Sequence, residues 1–232
     1  VANVQIPREE AGRFGVIEVD HDYRVVNFHE KKPDSPTMPD NPDMCLGSMG
    51  VYIFKAGVLD RELCADAADE NSSHDFGRNI IPKMIDDGRK VYGYRFVDEN
   101  DNPGSYWRDI GTLDSYYEAN MDLVQVSPVF NLYDSHWPIR TNMKQAPPPK
   151  FVFAQEYPGG RFGIAVDSSV ANGCIISGGR VQNSLLGRFV RVHSYSRVER
   201  SVLFDGVEIG KKARVRKAII DKNVKIPPGF EI

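Results

Sequence analysis

Ser184-Leu185-Leu186-Gly187, Ser201-Val202-Leu203-Phe204 and Ala218-Ile219-Ile220-Asp221 are successive copies of one pattern, 17 residues apart. The apolar residues Leu186, Val192, Val198, Leu203, Ile209, Val215, Ile220 and Ile226 extend it, at intervals of six, six and then five residues. A helix would space such residues about 3.6 apart and a half-buried strand about 2 apart. Six-residue spacing with glycine and small polar residues between predicts a left-handed parallel β-helix of hexapeptide repeats. Each coil then has three short strands, and each strand sends one aliphatic side chain into a stacked core. The pattern predicts this domain over residues 162–232. Coils of this kind bury their core only by stacking, so they need a cap or a neighbouring domain.

That neighbour lies N-terminal. Residues 136–161, with Pro138 and Pro147-Pro148-Pro149, read as a stiff linker. Residues 1–135 alternate strand-like and helix-like patterns, the mark of an α/β layer domain. Strands are expected at Val1–Ile6, Phe14–Val19, Arg24–Phe28, Ser48–Phe54 and Val91–Phe96. Helices are expected at Ala56–Asp69, on an apolar face of Val58, Leu59, Leu63 and Ala67, and near Phe76–Asp86, stopped by Gly88. A third helix should follow a Thr112 cap. The proline-rich stretch from Pro33 to Pro42 should be irregular.

Composition narrows the partners. The 232 residues carry a net charge of −3, but from Gly160 onward there are 13 lysines and arginines against 6 acids. The basic excess, including Lys211, Lys212, Arg214, Arg216, Lys217, Lys222 and Lys225, reads either as a solvated exterior or as a landing site for small phosphorylated anions. No aromatic platform is interleaved with it, which argues against nucleic acid. No apolar run reaches the roughly 20 residues needed to span a bilayer, and no membrane partner is expected. No signal peptide opens the sequence and the three cysteines show no paired spacing, so a cytoplasmic location is expected.

Candidate chemistry gathers at strand ends. Asp109 lies in the turn Trp107-Arg108-Asp109-Ile110-Gly111-Thr112, where open α/β sheets present ligands. An exposed carboxylate there suits Mg²⁺, whose shell substrate phosphates complete; the alternatives are an ion pair with Arg108 or a role in capping the helix. Glu30-Lys31 closes a strand with an acceptor for sugar hydroxyls beside a point charge for phosphate. Ser48 adds a hydroxyl. His193 is the only histidine of the predicted β-helix and reads as an exterior side chain; the other reading is an acyltransferase base. No glycine-rich phosphate loop occurs, since Gly159-Gly160 lies in the linker.

Six motifs occur in order: Phe14-Gly15-Val16, Phe28-x-Glu30-Lys31, Ser48-Met49-Gly50-Val51-Tyr52, Ser72-Ser73-His74-Asp75-Phe76-Gly77, Tyr106-Trp107-Arg108-Asp109-Ile110-Gly111-Thr112 and Trp137-Pro138-Ile139-Arg140-Thr141. Followed by hexapeptide coils, they resemble bacterial glucose-1-phosphate adenylyltransferase over essentially the whole chain. The resemblance implies a partial nucleotidyltransferase (Rossmann-like) α/β domain, with the family's glycine-rich nucleotide loop and a second metal-binding aspartate absent. The implied reaction transfers AMP from ATP to glucose 1-phosphate, giving ADP-glucose and pyrophosphate for glycogen or starch synthesis. Without that loop, the 232 residues alone are expected not to turn over.

By the same resemblance, Lys31 would bind the substrate phosphate and Glu30 the glucose hydroxyls, while Gly15, Ser48 and Tyr52 would complete the sugar-phosphate site. Asp75, Phe76 and Trp107 would line the glucose side. Asp109 would hold the catalytic Mg²⁺, making Asp109 and Lys31 the catalytic pair. Lys32 stands where the family usually has proline, and counting from Phe28 assigns the phosphate contact to Lys31. Phosphorylated metabolite effectors would meet Arg188 and Lys222, and the family suggests a homotetramer. The competing readings are another sugar-1-phosphate nucleotidyltransferase and a non-catalytic regulatory subunit.

Overall fold

The computed structural model describes residues 1–97, 106–136 and 138–232, so Trp137 of the last motif lies outside the described residues. The chain forms two compact units, Val1–Trp107 and Arg108–Ile232.

The first unit is built on five strands: β1 (Ala2–Pro7), β2 (Gly15–Val19), β3 (Val25–Glu30), β4 (Met44–Ser48) and β5 (Tyr94–Arg95). They form a mixed sheet in the order β3-β2-β4-β1-β5, with β1 and β5 parallel and the other pairs antiparallel. Alternation of side chains gives the sheet two apolar faces. Val4, Ile6, Val16 and Cys45 pack on one, with Phe14 and Trp107 against them. Ile17, Val19, Val25 and Leu46 pack on the other, against Ile80, Ile81 and Met84.

Two strand expectations shift. Of the strand expected at Ser48–Phe54 only Ser48 lies in a regular strand; Gly50, φ +68, interrupts the ladder, and Met49 and Val51 keep single backbone bonds to Ala2. The strand expected at Val91–Phe96 is hydrogen-bonded as a strand only over Tyr94–Arg95, with a single bridge from Tyr92 to Arg24.

Helix α1 (Ala56–Ala67) forms where expected, but its most buried members are Glu62 and Asp66, while Leu63 is exposed. Buried charges are tolerated when paired. Glu62 lies 3.3 Å from both Arg61 and Arg89, and Asp66 accepts from Ser72 and meets His74. The next helix starts as a π turn over Phe76–Ile80 and continues as α2 (Ile81–Asp86). Gly88, φ +71, follows its end.

In the second unit, α3 (Leu113–Asp122) starts with a capping box in which Thr112 and Ser115 bond each other reciprocally. Strand β6 (Lys150–Val152) precedes four coils of three strands each. The first coil is β7 (Ile164–Val166), β8 (Ser169–Val170) and β9 (Ile175–Ser177). The second is β10 (Arg180–Gln182), β11 (Leu185–Leu186) and β12 (Arg191–Val192). The third is β13 (Arg197–Glu199), β14 (Val202–Leu203) and β15 (Glu208–Ile209). The fourth is β16 (Arg214–Arg216), β17 (Ile219–Ile220) and β18 (Lys225–Ile226).

Equivalent strands of successive coils pair in parallel, producing sheets β16-β13-β10-β7, β17-β14-β11-β8 and β18-β15-β12-β9-β6. All eight residues of the six-six-five pattern are buried in one continuous core. Tyr117 Oη donates to the Arg200 carbonyl at 2.7 Å and the Tyr116 ring meets Phe204 edge-on, so α3 packs on the coils. By contacts, residues 108–135 cluster with the coils. The expected linker 136–161 likewise contributes β6 to a β-helix sheet. Proline content alone does not show that Lys150 and Val152 sit beside Ile175 and Ser177.

Candidate functional site

In the first unit the site grows from the pairing of β2 with β3, which puts Gly15 opposite Glu30. A Cβ on Gly15 would stand 2.7 Å from the Phe28 ring and 2.9 Å from Glu30 Oε2. Only glycine leaves room for both, so the Phe14-Gly15-Val16 motif has a steric reason. The same ring lies 3.2 Å from where a Cβ on Gly77 would be. Phe28 thus presses on two elements and bounds the space in which Glu30 sits.

Beyond Gly50 the chain brings Tyr52 onto Phe76, stacked with centroids 5.1 Å apart, and Phe54 completes the aromatic group at 5.8 Å from Phe76. The Tyr52 phenol is pushed up from its usual value, chiefly by burial. The negative charges of Asp75 and Glu30 add to this, and a hydrogen bond with Ser48 opposes it. Ser48, Tyr52, Asp75 and Glu30 therefore share one neighbourhood, with the phenol held protonated as a donor.

The serine-histidine-aspartate motif builds this wall rather than filling it. Ser72 Oγ donates to Asp66 at 2.6 Å and His74 Nδ1 lies 2.8 Å from Asp66, which hold the turn in place. Asp75 Oδ1 then accepts from the backbone N–H groups of Gly77 and Arg78 at 2.8 and 2.9 Å. One Asp75 oxygen is committed to that cap and the other carries no such bond. Arg78, to which the sequence reading gave no role, lies with Nε 4.0 Å from Glu30 Oε1. Its position three residues after a capping aspartate is the only sequence signal for it.

Lys31 follows Glu30 with φ +52, a left-handed conformation that interrupts the strand alternation, and its N–H donates to the Phe14 carbonyl at 3.0 Å. Trp107 does not join the Tyr52–Phe76 group. Its ring meets Phe14 at 5.7 Å and packs with Val4, Ile6 and Val16, on the other apolar cluster of the sheet.

In the second unit Asp109 is exposed, and its Oδ1 accepts from the Gly111 N–H at 3.0 Å. Arg108 does not pair with it: the guanidinium lies 3.0 Å from Asp122 and 3.9 Å from Glu118. The second Asp109 oxygen has no protein partner among the described residues. No group of three or more His, Cys, Asp or Glu side chains suited to a metal occurs among the described residues. A single carboxylate with one oxygen to spare nevertheless fits Mg²⁺, which commonly takes one or two carboxylates and completes its shell with phosphates and water.

The two effector candidates differ. Arg188 is committed: Nη2 lies 2.8 Å and Nε 3.0 Å from Asp205 Oδ2, and Nη1 donates to the Asn142 carbonyl at 3.3 Å. Burial would raise the Asp205 carboxyl, but Arg188 and Lys144 outweigh it and hold Asp205 below its usual value. Lys222 is exposed and its ammonium has no partner among the described residues. His193 Nε2 lies 2.8 Å from Glu208 on a coil exterior. No helix among the described residues is long and apolar enough to cross a membrane.

Residues 1–126 match the family model described as nucleotidyl transferase, and residues 147–232 match the GlmU-like, C-terminal hexapeptide model. Three curated relatives carry the name glucose-1-phosphate adenylyltransferase. They are 52% identical in Rhodopirellula baltica, 50% in Koribacter versatilis and 48% in Deinococcus radiodurans, each over all of this chain. The matches cover 52%, 55% and 56% of those proteins, so the chain spans about half the length of the relatives. With more than half of its residues matched by the first model, and its glycine-lined β2–β3 pairing and stacked coils in place, the chain belongs to the nucleotidyl transferase family.

Proposed function

We propose that this chain carries the sugar-phosphate side of a glucose-1-phosphate adenylyltransferase, in which AMP passes from ATP to glucose 1-phosphate. The observation that supports it best is the convergence of Glu30, Ser48, Tyr52 and Asp75 around the Gly15–Phe28 contact. A carboxylate, a protonated phenol, a hydroxyl and a second carboxylate can satisfy the vicinal hydroxyls of a hexose, which both donate and accept. The stacked Tyr52 and Phe76 rings supply an apolar surface for the pyranose C–H groups.

In this reading Lys31 neutralises the substrate phosphate as a point charge. A phosphate oxygen attacks the α-phosphorus of ATP; that P–O bond forms as the bond to the β-phosphate bridging oxygen breaks, and pyrophosphate leaves. The attacking oxygen is already ionised near neutral pH, so no general base is required, and the residues align and neutralise. Mg²⁺ on the free oxygen of Asp109 would supply charge stabilisation. Lys222 is the effector contact this reading retains, since the Arg188 charge is already matched by Asp205. Homotetramers are the expected assembly, checked by light scattering.

Steady-state kinetics on the whole protein tests the proposal. Lys31→Ala should raise KM for glucose 1-phosphate by tenfold or more, on the order of the 1.5–3 kcal/mol of a charged hydrogen bond, with KM for ATP nearly unchanged. Equal effects on both substrates would overturn the assignment.

A further inference from the structure

One strand column of the β-helix exterior carries three like charges in succession. Arg180, Arg197 and Arg214 are Cα partners in register on β10, β13 and β16, and all three are exposed. Neighbouring strands stand about 4.8 Å apart, so three arginines leave the backbone in a row along the coil axis. The two other charged strand columns mix their signs. Arg191, Glu208 and Lys225 follow one another on β12, β15 and β18, and Gln182, Glu199 and Arg216 on β10, β13 and β16.

Like charges directly opposite one another on a sheet are destabilising. The outer two arginines are partly compensated. Arg180 Nη2 donates to Gln182 at 3.3 Å, and Arg214 Nη1 lies 3.4 Å from Glu231. The middle one, Arg197, has no side-chain partner among the described residues. Glu199, two residues along the same strand, makes no ion pair with it among the described residues. A repulsive row with an uncompensated centre is an arrangement that a bound anion would complete.

We propose that the Arg180–Arg197–Arg214 row is a binding site for a linear oligophosphate, either free or as the tail of a nucleoside triphosphate. Planar guanidinium forks grip phosphate oxygens in pairs. Adjacent forks one coil apart can share a phosphate, so a chain of phosphates laid along the axis engages all three. An acidic peptide strand fits less well, since its same-side carboxylates recur every 6.6–7 Å or so. No aromatic side chain alternates with the arginines in this column to stack nucleic acid bases.

Calorimetry and thermal melts at matched ionic strength test the site with sodium tripolyphosphate, orthophosphate and ATP. Tripolyphosphate should bind at least about tenfold tighter than orthophosphate, and Arg197→Gln should weaken it by about tenfold or more, the worth of one charged hydrogen bond. Arg191→Gln, in an alternating column, should leave tripolyphosphate affinity unchanged. Without anion, Arg197→Gln should melt at or above the wild-type temperature because the repulsion is relieved. ATP binding that depends on Arg197 assigns the nucleotide tail; tripolyphosphate binding alone assigns the free chain. Equal affinity for tripolyphosphate and orthophosphate, insensitivity to Arg197→Gln, or displacement of tripolyphosphate by glucose 1-phosphate would overturn the proposal. Should Arg197→Gln fail to fold, Arg180→Gln serves the same comparison.

Discussion

Gly15 shows how much a missing side chain can decide. Its hydrogen leaves the space that the Phe28 ring and the Glu30 carboxylate occupy, so Gly15→Ala must displace one of them. Overpacking of this kind costs about 1–3 kcal/mol, and the displaced group also serves the proposed sugar site. Gly15→Ala is therefore expected to lower the melting temperature and to raise KM for glucose 1-phosphate more than KM for ATP. An unchanged KM with a lowered melting temperature would confine Gly15 to a structural role. Such detail was only partly legible beforehand. Gly15, Glu30 and Lys31 stand out through a known motif, but nothing in their spacing reveals that Phe28 is the ring they share. Arg78 was invisible, because its approach to Glu30 depends on the turn that Asp75 caps.

Turns and helix ends explain where the element reading held and where it slipped. Thr112 was recognisable as a cap, and removing its hydroxyl in Thr112→Ala should cost about 1 kcal/mol, measured by denaturant unfolding. The Ser48–Phe54 strand was misplaced because β-branched and aromatic residues signal strand while Gly50 interrupts the regular ladder. Helix α1 was located correctly, yet its buried face was misjudged. Apolar spacing cannot show that Glu62 and Asp66 find partners on segments elsewhere in the unit.

Asp66 carries a pH signature. Its carboxyl lies below the ordinary value of 3.8, chiefly through the Ser72 hydrogen bond and then that with His74. A depressed carboxyl stabilises the fold fully above its unfolded value and loses that contribution as pH falls through the folded value. Melting temperature should therefore be insensitive to this group above about pH 5 and drop on acidification below about pH 4. Asp66→Asn should melt lower at neutral pH and show a shallower acid drop; an acid drop equal to wild type would contradict the assignment.

The assembly of coils was the most legible part, because a core repeated every 17 residues writes its period directly into the sequence. Leu203 sits fully buried between Leu186 and Ile220 of adjacent coils. Leu203→Ala should cost about 2–5 kcal/mol, read from denaturant unfolding. What the period cannot convey is which exposed residues line up between coils with a like charge, that α3 touches the coils, or that β6 pairs with β9. Those follow from register and packing, which join residues 17 or more positions apart. For the enzyme proposed here, the most direct measurement is calorimetric titration of glucose 1-phosphate into the whole wild-type protein and its Glu30→Gln variant. The account predicts at least about tenfold weaker binding by the variant with the melting temperature preserved; equal affinity in the two proteins would contradict it.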